Sequence, residues 1–147
     1  MKIKFTLLLI LISSVSHAQM THQDSLNSVV NEYFRLNVKV FQSGSSQSDI
    51  DSLFSLFSED FTYLHPNYGG TYSRKDLYDG YINNQKNGRY NGRVADIKVT
   101  NRISGLNAVS VEKRFVTRKD DTLSEGEPQM TLFEFRDGKI YRIHEFW

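Results

Sequence analysis

The chain has 147 residues, with 18 Lys and Arg against 17 Asp and Glu, a formal net charge of +1 and no cysteine. This near-neutral balance excludes the basic footprint of a nucleic-acid binder. The lack of cysteine excludes disulfide staples, thiolate zinc sites and a lipid anchor attached through an N-terminal cysteine. With 13% aromatic residues, packing is left as the source of stability.

Lys2 and Lys4 precede the apolar run Phe5 to Ile12, which gives way to small and polar residues and reaches Ser16-His17-Ala18. Charged, apolar and small segments in that order make a secretory signal. The apolar run of about eight residues is far short of the roughly 20 that span a bilayer. Cleavage after Ala18 is predicted, which makes 1–18 a signal peptide and 19–147 a single soluble domain, secreted or periplasmic and free of the membrane. Losing Lys2 and Lys4 leaves 16 basic residues against 17 acidic ones, a net charge of −1.

From Thr21 to Phe41, the apolar positions Leu26, Val29, Val30, Tyr33, Phe34, Leu36, Val40 and Phe41 recur mostly at helical spacing. A serine-rich linker follows, and Ser48 with Asp51 reads as the capped start of a short second helix bearing Ile50, Leu53, Phe54 and Phe57. Phe61 to His65 has strand composition and is halted by Pro66 and the Asn67-Tyr68-Gly69-Gly70 turn. Ser73 with Asp76 repeats the cap, and Leu77, Tyr78, Tyr81 and Ile82 mark one face of a third helix. From Arg93 onward alternation takes over: one strand through Ala95, Ile97 and Val99, a turn at Ser104-Gly105, and a second strand through Val109, Val111, Phe115 and Val116. A polar loop spans Lys119 to Pro128, and Met130–Arg136 and Lys139–Trp147 flank an Asp137-Gly138 turn as a hairpin. Helices first and strands second predict an α+β fold, with helices packed on one face of a curled antiparallel sheet.

The stretch Leu53-Phe54-Ser55-Leu56-Phe57-Ser58-Glu59-Asp60-Phe61-Thr62-Tyr63-Leu64-His65-Pro66, followed by Gly69-Gly70-Thr71-Tyr72-Ser73-Arg74-Lys75-Asp76-Leu77, resembles the nuclear transport factor 2-like superfamily, especially its SnoaL-like branch. The terminal run Phe133 to Trp147 is similar to that superfamily's last hairpin. The resemblance implies a cone, in which a strongly curved antiparallel sheet wraps around about three N-terminal helices and leaves an apolar pocket between them. It also implies a small apolar or aromatic ligand and a homodimer. The superfamily holds cofactor-independent isomerases, cyclases and dehydratases as well as non-catalytic binding and dimerisation domains, so the fold does not decide whether this chain is an enzyme.

Carried over residue by residue, the isomerase branch's catalytic aspartate falls on His65, its oxyanion-hole tyrosine on Tyr33, and its protonated aspartate on Thr131. Only the tyrosine survives in kind, which argues against a steroid isomerase of that mechanism. His65 remains a candidate catalytic base, an imidazole being suited to proton abstraction in a dry pocket; the alternative is a strand-end residue bonded to a backbone carbonyl. Alternation puts Tyr63 on the face of His65, as a pocket hydroxyl or as packing. On the last strand it groups Tyr141, Ile143, Glu145 and Trp147 on one face, which the resemblance turns inward. Glu145 is then a candidate proton donor or shuttle, or else one half of an ion pair with an arginine such as Arg114. Tyr33, Tyr63, Tyr141 and Trp147 are the candidate ligand-binding residues. The histidines and carboxylates lack metal-ligand spacing, and no glycine-rich loop opens a helix, so neither a metal nor a nucleotide cofactor is predicted. A non-catalytic homodimer using outward residues such as Leu132 and Phe146 is the alternative function.

Overall fold

The computed structural model describes residues 21–147; the predicted signal peptide lies outside the described residues. Three helices, α1 (His22–Val40), α2 (Gln47–Phe54) and α3 (Arg74–Lys86), pack against seven strands. The strands are β1 (Phe57–His65), β2 (Gly70–Ser73), β3 (Val94–Gly105), β4 (Ala108–Lys119), β5 (Thr122–Glu125), β6 (Gln129–Arg136) and β7 (Lys139–Glu145). The sheet runs β2-β1-β7-β6-β4-β3, with β5 beside β4. This is the expected α+β arrangement with two corrections. The sheet is mixed, because β1 pairs β7 in parallel, and the polar stretch expected to loop from Lys119 to Pro128 contains β5, which pairs β4 antiparallel.

Each helix starts where a hydroxyl and a carboxylate stand three residues apart. At α1 the Asp24 amide donates to Thr21 Oγ1 at 3.1 Å while the Thr21 amide donates to Asp24 Oδ2 at 3.2 Å. Two orphan amides are satisfied by one reciprocal pair. Ser73 and Asp76 do the same for α3. The cap of α2 falls on Ser46 and Asp49, two residues before the expected pair, although both pairs have the required spacing. The earlier start brings Asp49 to 2.6 Å from Lys39 of α1 and leaves Asp51 to accept from the Tyr78 hydroxyl of α3 at 2.6 Å. Tertiary partners thus chose between two locally equivalent caps.

Lys39 and the Ser46 amide hold the Asp49 carboxyl down at about 2. A carboxylate with a depressed pKa in the folded state contributes stability above its ordinary pKa of roughly 3.9, and that contribution is lost as pH falls toward the folded value. Lys39 is more than half exposed, so solvent screening limits the contribution to about 1 kcal/mol. Urea midpoints measured from pH 5 to pH 2 are expected to fall less steeply for Asp49→Asn than for the parent chain.

The core lies between α1 and the concave face of the sheet. Leu26, Val30, Tyr33, Phe34 and Val40 of α1 meet Phe57, Phe61, Val109, Val111, Phe133, Phe135, Ile140 and Ile143 from the strands. Phe133 takes Tyr33 and Phe34 edge-on at 5.1 and 5.6 Å, and Phe57 stacks on Phe61 at 4.0 Å. The edge contacts match the quadrupoles of the rings. Helix α3 has no fully buried residue and lies over β1 and β2 at one end of the sheet, where it forms a wall.

Candidate functional site

Alternation along β1 turns Phe61, Tyr63 and His65 toward the interior. Phe61 joins the core, and the two residues beyond it open into a cavity of about 340 Å³ lined by Tyr63, His65, Tyr68, Tyr72, Asp76, Leu77, Gly80, Tyr81, Asn84 and Trp147. Strands β1 and β2, the Pro66–Tyr68 turn, α3 and the end of the chain each supply part of the wall. Gly69 has φ +105° and Gly70 φ +100°, a region closed to most side chains, and this turn brings Tyr68 and Tyr72 to the same rim.

His65 is 2% exposed, and among the described residues neither ring nitrogen has a hydrogen-bond partner. Its ring is held by edges instead, at 4.3 Å from Tyr68 and 4.4 Å from Trp147. Burial is the main influence on its pKa and lowers it, Glu145 opposes, and Lys113 adds to the lowering. The imidazole is therefore neutral at neutral pH, with one nitrogen a donor and the other an acceptor. A buried polar group without a partner costs about 1–3 kcal/mol. The alternative reading, a ring bonded to a backbone carbonyl, is not met among the described residues, and His65 lines the cavity with its polar capacity unspent.

Glu145 is in the opposite condition. It is 2% exposed, and its carboxylate accepts from Lys113 Nζ at 3.0 and 3.1 Å, Thr131 Oγ1 at 2.6 Å, Trp147 Nε1 at 2.7 Å and Tyr63 Oη at 3.5 Å. Two carboxylate oxygens offer about four acceptor sites, so the internal donors exhaust them. The ion-pair alternative is the one the structure adopts, with Lys113 in place of Arg114. On β4 the residues Val109, Val111 and Lys113 face the core, and Arg114 turns outward to donate to the Gly126 carbonyl at 2.8 Å. Burial pushes the Lys113 ammonium pKa down and Glu145 pulls it back up. Glu145 thus positions Trp147 and Tyr63; it is not presented to the cavity as a proton shuttle.

Two of the predicted ligand contacts lie elsewhere. Tyr33 sits in the aromatic core between Phe34 and Phe133 and does not line the cavity. Tyr141 is displaced by a bulge: Glu134 pairs Arg142 and Phe135 pairs Ile140, leaving Tyr141 without a partner in the register. An unpaired residue reverses the alternation, so Ile140 and Ile143 both point in while Tyr141 donates to Glu134 on the other side, with Arg136 over its ring. The sequence reading missed Tyr68, Tyr72, Tyr81, Asp76 and Asn84. The available signals are the glycine turn after Pro66, the Ser73–Asp76 cap and the apolar face of α3 that carries Tyr81, which the sequence presents as a turn, a cap and a helix face.

Tyr81 also ties the wall to α1. Its hydroxyl donates to Asn37 Oδ1 at 2.7 Å, and Asn37 Nδ2 donates to the Tyr33 carbonyl at 3.0 Å. Because Asn37 is buried, Tyr81→Phe leaves its Oδ1 unsatisfied and is expected to cost about 1–2 kcal/mol in a chemical denaturation curve. Among the described residues no three His, Asp or Glu side chains gather closely enough to hold a metal ion.

No family model matches the chain, and no curated protein matches it by sequence. Solved structures do match by shape. A nuclear transport factor 2-like protein from Anabaena variabilis aligns with a TM-score of 0.58 at 16% identity, over 88% of this chain and 93% of the other. A LEH-like epoxide hydrolase from M. tuberculosis gives 0.62 at 14% identity, over 88% and 82%. A protein with a ketosteroid isomerase-like fold from Catenulispora acidiphila, solved in complex with trimethylamine, gives 0.55 at 16% identity, over 81% and 84%. Likeness at such identities establishes a shared backbone plan, and function has to be argued from the site.

Proposed function

From the nuclear transport factor 2-like cone that this chain shares with those structures, we propose that it is an exported small-molecule-binding protein whose ligand occupies the cavity at His65. The observation that carries this reading is the buried imidazole with neither nitrogen paired among the described residues, in the wall of a cavity lined by aromatic rings. A ligand with an apolar or aromatic body and one hydrogen-bonding group satisfies the imidazole and buries its surface on the rings. Export rests on residues 1–18 of the sequence.

A catalytic form of this proposal has one available actor. His65 lines the cavity, and once the rings of Tyr68 and Trp147 that cover its nitrogens shift to admit a ligand, its neutral imidazole takes a proton from a carbon or oxygen acid or returns one, as a cofactor-independent isomerase, cyclase or dehydratase requires. Glu145 contributes by fixing Trp147 and Tyr63. The neighbour solved with trimethylamine adds amines to the ligand classes worth testing.

Trp147 is the only tryptophan in the chain and lines the cavity, so its emission reports occupancy. A panel of small aromatic acids, ketones and amines is expected to include compounds that change it, with affinity reduced at least tenfold by Tyr63→Ala. Equal responses from the parent chain and Tyr63→Ala would remove the pocket claim. Turnover surviving His65→Ala would remove the catalytic form.

The second reading, a homodimer, is favoured by one observation. Ile103, Met130 and Phe146 are 72%, 44% and 46% exposed, and Phe146 stacks on His144 at 4.0 Å. Light scattering at high concentration tests it, and a monomer there contradicts it. Pairing and ligand binding are compatible.

A further inference from the structure

The cavity's lining carries an electrical signature. Five of its side chains present aromatic rings, Tyr63, Tyr68, Tyr72, Tyr81 and Trp147, and among the described residues Asp76 is the one charged side chain in the lining, with no lysine or arginine. Four of those rings and His65 form a continuous cluster, with Tyr63 6.3 Å from Tyr72 and Tyr68 5.8 Å from Trp147. Two of the rings are further polarised from behind. Trp147 Nε1 donates to the Glu145 carboxylate at 2.7 Å, and Tyr63 Oη lies 3.5 Å from the same group. A hydrogen bond given to an anion raises electron density in the ring that gives it, and so strengthens the negative π face. The positive end of the buried pair does not line the cavity: Lys113 Nζ, 3.0 Å from Glu145, also lies over Phe34 and Phe115 at 5.8 and 5.5 Å, and neither of those rings lines it. Asp76 spends its Oδ2 on the cap of α3.

We infer that this cavity takes a small organic cation, a methylated ammonium head carried on a short body. The inference rests on the pocket reading above and narrows its ligand class. A methylated ammonium gives up less hydration than a primary amine on entering, and its spread charge suits several ring faces at once. An anion of equal size meets aromatic rings, a carboxylate and, among the described lining residues, no cation.

Choline and its uncharged carbon isostere 3,3-dimethylbutan-1-ol separate charge from shape. Both are to be titrated into the mature chain with Trp147 emission as the readout, in the parent and in Tyr68→Leu. Tyr68 is 63% exposed, and no hydrogen bond from its side chain supports another residue's position; circular dichroism melting verifies that the variant folds. The expected result is that choline binds about tenfold more tightly than the isostere, with Tyr68→Leu weakening choline about threefold and the isostere by less than twofold. An isostere that binds as tightly as choline, or a variant that weakens both equally, overturns the cation inference and leaves the pocket reading standing. If neither compound binds and the wider panel is also silent, both fall.

Discussion

Glu145→Ala is expected to lower the stability of the chain by about 3–5 kcal/mol, because it leaves the Lys113 ammonium buried without a counter-charge. Lys113 is 3% exposed and its nearest alternative company is the faces of Phe34 and Phe115, which replace only part of an ion pair. Thr131 and Trp147 lose their acceptor in the same step. For a domain of this size the melting temperature should fall by more than about 10 °C. The double variant Lys113→Met, Glu145→Leu removes both charges and fills the same space, and it is expected to recover the part of the loss due to the unpaired ammonium, since a buried pair exchanged for apolar groups is often neutral, while Thr131 and Trp147 stay without their acceptor. A single variant that melts within a few degrees of the parent would contradict the account of Glu145 as the organiser of this end of the sheet. Calorimetric melting of the three proteins measures it.

His65→Phe should act in the opposite direction. The imidazole's nitrogens form no hydrogen bond within the described protein, so the contacts that matter to the fold are its edges against Tyr68 and Trp147, and a phenyl ring keeps those. Removing unpaired buried polar atoms is expected to stabilise the chain by about 1 kcal/mol, after allowing for the larger ring, while ligand affinity falls at least tenfold. Stability gained with binding lost is the pattern of a residue kept for function. The pH dependence carries a matching sign. With the folded imidazole's pKa lowered by burial, the unfolded chain binds more protons below about pH 6.5, so the parent loses stability as pH falls from there toward the folded value. His65→Phe should flatten that segment of the profile. Destabilisation by 2 kcal/mol or more in the variant would assign His65 a structural role.

Much of this architecture was legible because it depends on local chemistry. Ser73 with Asp76 marks the start of α3 correctly, and alternation puts Tyr63 and His65 on one face, where the structure finds both lining one cavity. The failures occur where a choice depended on a distant partner. Two serine–aspartate pairs competed to cap α2, and Lys39, ten residues before Asp49 in the chain, favoured the earlier one. Alternation on β7 was broken by a bulge whose only signature is the register against β6, which turned Tyr141 outward while Glu145 and Ile143 stayed in. The carboxylate's partner was misidentified by one position, Lys113 for Arg114, and one position on a strand is the difference between the two faces. Tyr68, Tyr72 and Tyr81 come from a turn, a short strand and a helix, and only the tertiary fold gathers them.

The central claim is that the cavity at His65 takes a ligand, and nuclear magnetic resonance of the His65 ring and the Trp147 indole N–H during a small-fragment screen tests it most directly. The account predicts that fragments of amine or aromatic type shift both signals together, saturably, in the parent chain, and that the Trp147 response disappears in His65→Phe. A screen in which neither signal moves, or in which Trp147 responds identically in the variant, would contradict it.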